Sequence, residues 1–379
     1  MEILDSYPAA RLVAPKVHAY FARHRATSSA GPNPAPVPDE SAIREMIDAA
    51  FWASLRREEG YEPKISLAYL PPEMDAQPLV FERPLPLGPA MLAKIAPVVE
   101  RPGIHLGVWP DSGQLRVWGT TQSIPVYCFV LEVIEAGLLV VKHHRGAQTG
   151  KYVNVAVLEG DQVKLVDEGA STLPDCPDLL TSLLGFNTTR SWIGSVNVLV
   201  QLAVSMRAHG RGGSLLIVPA DNEAWRESII HPMTYAVSPP FSSLSRIIRE
   251  RSADGVQSPA WQDAFKEAVD AIAGLTAVDG AAVLADNYDL LAFGAKINRR
   301  RGSPLVEQVT VTEPIEGGTP RIVTPAELGG TRHLSAAQFV HDQQGAVALV
   351  ASQDRRFTVF AWSPCETRVH AHRVESLLL

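Results

Sequence analysis

Apolar positions along this chain keep two different periods. Ile43, Met46, Ile47, Ala50 and Phe51 recur at helical spacing, and Asp39 or Ser41 stands where a cap is needed. These side chains are expected in a core. From Ile104 to Val166 the pattern changes to alternation. Segments 104–108, 115–118, 125–134, 138–142, 152–158 and 163–166 read as strands, with turns at Pro110-Asp111-Ser112-Gly113, Glu135-Ala136-Gly137 and Glu159-Gly160-Asp161. The expectation is an antiparallel meander in a small β-rich domain.

The second half mixes the two periods. Helices are predicted over 192–208, 242–252, 259–273 and 335–343, and strands over 214–218, 278–284, 290–295, 306–312, 346–351 and 357–362. This order predicts an α/β (α+β) protein whose C-terminal mixed sheet is flanked by helices. Four regions are expected: an N-terminal helix and Pro-rich linker (1–38), an α+β domain with the meander (39–185), a second α/β domain (190–365) and a C-terminal tail (366–379). A faint echo links the halves. His105-Leu106-Gly107-Val108 with Asp111, Leu115 and Gly119 parallels Gly280-Ala281-Ala282-Val283 with Asp286, Leu290 and Gly294.

Composition narrows the classes. A chain of 379 residues, 46% hydrophobic and 20% charged, has ample material for two or three globular cores. The net charge of −7 argues against a general binder of nucleic-acid polymers, so a recognised polyanion must meet a local basic pocket. Cys128, Cys176 and Cys365 are far apart, which excludes a disulfide framework and a cysteine-rich zinc site and suggests buried thiols. The N-terminus lacks the basic and apolar regions of a signal peptide, and Glu132, Glu135, Asn197 and Gln201 interrupt the most apolar runs. A cytoplasmic protein without a membrane span is expected.

Two stretches carry candidate chemistry. Asp279-Gly280-Ala281 heads an apolar run, and Gly330-Thr331-Arg332-His333 opens a helix-like stretch. A helix N-terminus offers free N–H groups and a positive dipole to phosphate. Arg332 has the fork geometry for phosphate, and Asp279 suits a metal or a proton. Two cationic side chains in a first helical turn oppose the dipole, a conflict that bound phosphate removes. Thr331 also suits an ordinary helix cap. Ser352 with Arg355-Arg356 fits a phosphate or ribose contact and a solvated hairpin tip almost equally. Arg299-Arg300-Arg301-Gly302 reads as a solvated loop or a lid, Gly210-Arg211-Gly212-Gly213 as a turn before a strand, and His143-His144 as a surface pair.

Together, Asp-Gly-Ala, then Gly-Thr-Arg-His-x-x-Ala, then Val-x-Ser-Gln-x-Arg resemble the diadenylate cyclase (DAC) domain, which condenses two ATP molecules into cyclic di-AMP. Upstream, Gly212 to Val218 resembles that domain's early strand, and Tyr235 to Leu244 the approach to its long helix. The likeness spans roughly residues 190–365. The family's active members carry Arg-His-Arg where this chain has Arg332-His333-Leu334. The whole arrangement is similar to a divergent DAC-like nucleotide-sensor group, DACNV.

The resemblance implies a sensor of an adenine nucleotide or cyclic dinucleotide. In it Asp279 is the catalytic and metal residue, and Gly280, Ala281, Gly330, Thr331, Arg332, His333 and Ser352 bind nucleotide or phosphate. Mg2+ or Mn2+ would accompany a bound triphosphate, and a homo-oligomer with facing DAC-like domains is implied. The rivals are an active diadenylate cyclase and a non-binding structural interaction module. Leu334 removes a charge from the family pattern, which favours sensor over enzyme, and Leu334→Arg is expected to raise or create synthesis.

Overall fold

The computed structural model describes residues 6–27, 35–144, 152–167, 198–254, 258–354 and 356–379. Residues 28–34 of the Pro-rich linker, Cys176, the start of the 192–208 helix and Arg355 lie outside the described residues. The chain divides into two compact units, Met1–Asp167 with Leu379, and Glu168–Leu378. The fold is α+β, with two mixed sheets.

The first unit holds helices α1 (Pro8–Thr27), α2 (Glu40–Ser54) and α3 (Pro89–Ile95). Its strands are β1 (Ser66–Tyr69), β2 (Leu79–Pro86), β3 (His105–Asp111), β4 (Gln114–Thr121), β5 (Phe129–Glu135), β6 (Leu138–His144), β7 (Tyr152–Glu159) and β8 (Gln162–Leu165). Asp39 caps α2 by accepting from the Ala42 N–H at 2.7 Å. Ile43, Met46 and Ile47 then pack with Leu67, Leu106, Phe129 and Leu131 of the sheet. Val13, Val17 and Phe21 of α1 join the same core. The N-terminal helix is therefore integral to this unit rather than a preceding appendage, because its apolar stripe is buried.

The sheet runs β2-β4-β3-β1-β5-β6-β7-β8, with β1 parallel to β3. It is mixed, which corrects the expected antiparallel meander. Strand β1 inserts between β3 and β5, and its Ser-Leu-Ala-Tyr is buried on both faces, so it has no alternation to betray it. His143 is also not on the surface. It is 3% exposed, packed on Tyr20, Phe21 and Tyr127, and paired with the Tyr20 hydroxyl at 3.1 Å.

The second unit comprises α4 (Val198–Ala208), β9 (Gly213–Val218), β10 (Tyr235–Phe241), α5 (Ser243–Asp254), α6 (Pro259–Leu275), β11 (Ala281–Ala285) and β12 (Leu290–Ala295). It continues through β13 (Val309–Thr312), β14 (Arg321–Val323), α7 (Thr331–Asp342), β15 (Val347–Ala351), β16 (Phe357–Ser363), β17 (Arg368–Arg373) and α8 (Glu375–Leu378). Alternate strand residues face opposite cores. Leu215, Ile217, Ala282 and Leu349 pack on α4 to α6, whereas Leu216, Val283, Ala348 and Phe360 pack on Ala336, Phe339 and Val340 of α7. Burial on both faces explains the uninterrupted apolar runs.

Residues 366–379 are not a tail, since β17 lies between β16 and β13. Its Arg-Val-His-Ala-His-Arg looks polar, yet His370 and His372 are buried. Cys365 is exposed rather than buried; Cys128 is buried, which pushes its thiol up to about 12.

The two sheets share one plan. The order β2-β4-β3-β1-β5-β6-β7 matches β10-β12-β11-β9-β15-β16-β17. Every corresponding pair has the same direction, including the parallel pairs β1–β3 and β9–β11. Gly119 and Gly294, matched in the sequence echo, each stand where a bulged strand meets the edge strand. A Cβ on Gly119 would lie 1.9 Å from the Leu79 carbonyl oxygen, and one on Gly294 would lie 2.8 Å from the Tyr235 ring. One difference bears on function. Seven residues, 122–128, link β4 to β5, whereas β13, β14 and α7 intervene between β12 and β15.

Candidate functional site

Helix α7 exists because Ala336, Phe339 and Val340 form a stripe that the sheet buries. Its start is less conventional. Gly330 is the N-cap and makes no side-chain capping bond, and the first turn holds no acidic residue. Thr331 is thus the first helical residue and not the cap. The dipole of the helix end is unopposed by any side-chain cap, as anion-binding helix termini require.

That end opens on a cavity of about 710 Å3 lined by Asp279, Gly280, Ala281, Gly330, Thr331, Arg332, His333 and Ser352. The structure therefore gathers the residues singled out in the sequence into one place. Asp279 precedes β11, the Gly330–His333 turn begins α7, and Ser352 begins the β15–β16 turn.

Gly280 serves the backbone. At φ +109° a side chain is strained, and a Cβ would lie 2.5 Å from the Gly294 carbonyl carbon. The close neighbour is the paired strand β12, and Gly280 thereby sets the position of Asp279. Ala281 opens β11 opposite Ala295 and is buried.

Arg332 supplies charge to the helix end, whereas His333 is neutral at ordinary pH. Burial pulls its imidazole below the usual histidine range; Asp354 opposes this, and Arg356, Arg373 and Arg332 reinforce it. The expected pair of cations in the first turn is thus a single cation. His333 is 3% exposed, its Nε2 has no hydrogen-bond partner among the described residues, and its ring meets Phe360 edge-on at 6.0 Å. Gly329 gives the ring its space, because a Cβ there would lie 2.5 Å from Nδ1.

The Ser352 hydroxyl donates to Asp354, whose carboxylate also meets the Arg356 Nε at 3.3 Å. Burial works to raise the Asp354 carboxyl, but the Ser352 bond and the Arg356 charge hold it below its ordinary value. Ser335 bonds back to the Thr331 carbonyl at 2.8 Å, so its hydroxyl is committed within the helix. Leu334 is 42% exposed and is not part of the cavity wall. The basic loop is elsewhere too: Arg300 and Arg301 line a separate cavity of about 640 Å3 near the C-terminal end of α7, with Arg300 paired to Glu227 at 2.7 Å.

One wall residue escapes the motif reading. Lys296 follows β12 directly, and its Nζ stands 3.5 Å from Asp279 Oδ2. Its carbonyl accepts from the Ile230 N–H at 2.8 Å, which fixes the backbone there. The signal was the hairpin register. Ala281 pairs with Ala295, so residues just before β11 and just after β12 must be neighbours.

Residues 32–122 match the family model described as "Probable sensor domain DACNV". The resemblance to the DACNV group is borne out there, over the first unit from α2 through β4, and it supports a sensor role. No curated protein matches the chain. Among the described residues no helix is long and apolar enough to cross a membrane.

Proposed function

We propose that this protein is a nucleotide sensor whose second unit binds an adenine nucleotide or cyclic dinucleotide. The observation that carries the reading is the uncapped α7 N-terminus, with Arg332, opening on the cavity that Asp279 also lines. The helix end and Arg332 would take phosphate oxygens, and the His333 Nε2, buried without a partner among the described residues, has hydrogen-bonding capacity to offer. The sensor match over residues 32–122 supports a signalling rather than a metabolic role.

A working diadenylate cyclase is the second reading, favoured by the convergence of Asp279 and Thr331 to His333 on one cavity. It needs two copies with facing second units, each holding one ATP. Incubating the full chain with ATP and Mg2+ or Mn2+, then weighing product and retained ligand by mass spectrometry, separates the readings. Retained, unreacted nucleotide is the expected result. Cyclic di-AMP turnover would select the cyclase, and neither retention nor turnover would overturn the nucleotide site.

A further inference from the structure

The resemblance assigns a divalent cation to Asp279, and the donor set around Asp279 does not fit one. Among the described residues no group of three or more His, Cys, Asp or Glu side chains gathers for a metal. The other carboxylate of the wall, Asp354, already takes Ser352 and Arg356. Asp279 itself faces the Lys296 ammonium at 3.5 Å. Magnesium held in this way keeps several waters and takes substrate phosphates beside one or two carboxylates, so here Asp279 alone would be its protein anchor. It would also have to displace the Lys296 ammonium, which competes for the same oxygen.

We infer that Lys296 takes the place of the divalent cation, and that this cavity holds the phosphodiester of an adenine dinucleotide without metal. The inference rests on the proposed nucleotide site and specifies its ligand. The charge pattern of the wall supports it. Among the described residues Lys296, Arg332 and Arg356 line the wall with Asp279 and Asp354, so three cations stand against two carboxylates, and the helix end adds roughly half a positive charge. That small excess matches a phosphodiester, which carries one negative charge per phosphate. It falls well short of a triphosphate, whose larger charge calls for a metal. The ion pair between Lys296 and Asp279 is exposed, at 65% and 90%, and so is weak and free to open. Lys296 can then turn from Asp279 to a ligand phosphate at little cost. The ground for a sensor thus moves from Leu334, outside the wall, to Lys296, within it.

Calorimetric titration of the full chain with cyclic di-AMP and with ATP, in EDTA and in Mg2+, tests this. Cyclic di-AMP is expected to bind within about twofold equally in both buffers, and more tightly than ATP in EDTA. Lys296→Ala should weaken cyclic di-AMP binding in EDTA by about tenfold, and Lys296→Arg should keep most of it. Added Mn2+ should recover part of the loss in Lys296→Ala, because Asp279 is then free. Binding that requires Mg2+, tighter binding of ATP than of cyclic di-AMP in EDTA, or an unchanged affinity in Lys296→Ala would overturn the inference while leaving a nucleotide site. Absence of binding by either nucleotide in both buffers would overturn the site as well.

Discussion

Gly212 makes the space beside which the Arg332 guanidinium rests. A Cβ at Gly212 would lie 3.0 Å from Arg332 Nη1 and 3.2 Å from the Ala351 carbonyl oxygen. The Gly-Arg-Gly-Gly turn, which precedes a strand and so looks purely local, therefore leaves room for a cation from the first turn of α7. Its φ of +69° also favours glycine.

This contact gives the first prediction. Arg332→Ala should weaken nucleotide binding by about 1.5–3 kcal/mol, the range for a charge-assisted contact. Gly212→Ala should reduce affinity in the same direction by displacing the guanidinium, with less effect than removing it. Isothermal titration checks both, alongside circular dichroism to verify the fold. An Arg332→Ala protein that folds and binds as wild type would remove Arg332 from the ligand site.

The second prediction concerns stability. Gly280→Ala should destabilise the second unit by about 2–3 kcal/mol, because it adds positive-φ strain to a clash with the Gly294 backbone. Gly302→Ala is the control. Gly302 also has a positive φ, +83°, but a Cβ there meets nothing within 4 Å, so the loss should be only about 1 kcal/mol. Denaturant midpoints compare the two, and equal losses would show that the close approach at Gly280 is relaxed at little cost.

The third prediction revises the role of Leu334. Because Leu334 is outside the cavity wall, Leu334→Arg should leave nucleotide affinity within about twofold and should not by itself create cyclic di-AMP synthesis. Lys296 would still face Asp279. Product analysis over a wide range of protein concentration checks this, since a contact between two copies depends on concentration. Turnover in Leu334→Arg alone would restore Leu334 as the block.

Local chemistry was the more legible part of this protein. Asp279, Arg332 and Ser352 could be gathered from motifs because each stands at an element boundary, where polar residues interrupt an apolar run. The second unit's alternation of helices and strands was legible for the same reason. What the sequence hid is pairing between distant segments. Strand β1 has no alternation, and β10, Tyr-Ala-Val-Ser-Pro-Pro-Phe, carries prolines that suit only an edge strand. Strand β17 hides buried histidines among arginines. The shared plan of the two sheets survives in sequence as little more than the Gly119 and Gly294 echo, since a strand order can be kept by many apolar residues. Lys296 was hidden because its partner is set by hairpin register rather than by neighbours in the chain.

The fourth prediction follows from buried histidines. His105 in the first unit receives or donates hydrogen bonds at both ring nitrogens, to the Ser66 hydroxyl at 2.7 Å and the Tyr152 hydroxyl at 2.8 Å. Burial lowers it to about 4; Glu132 opposes, while Lys142 and His144 add to the lowering. His372, in the second unit, is lowered to about 3, first by burial and then by His370. An unfolded histidine takes its proton near pH 6.5, approximately. Between that pH and the folded value the unfolded chain binds more protons, so stability is fully present above about pH 6.5 and is lost as pH falls. For His105 alone the loss by about pH 4 is on the order of 2–3 kcal/mol. The carboxylates held low by hydrogen bonds, Asp75 and Asp289, contribute their own acid loss only nearer the carboxylate range, below about pH 4. Between about pH 6.5 and 4.5 the loss in the first unit therefore comes from histidine, since Glu45, whose carboxyl burial raises, acts there with the opposite sign. Urea denaturation across that window should show a falling midpoint for the first unit, and His105→Gln, which keeps a hydrogen-bonding side chain but takes no proton, should flatten the fall. Parallel curves for wild type and His105→Gln would mean that His105 is protonated in the fold without cost.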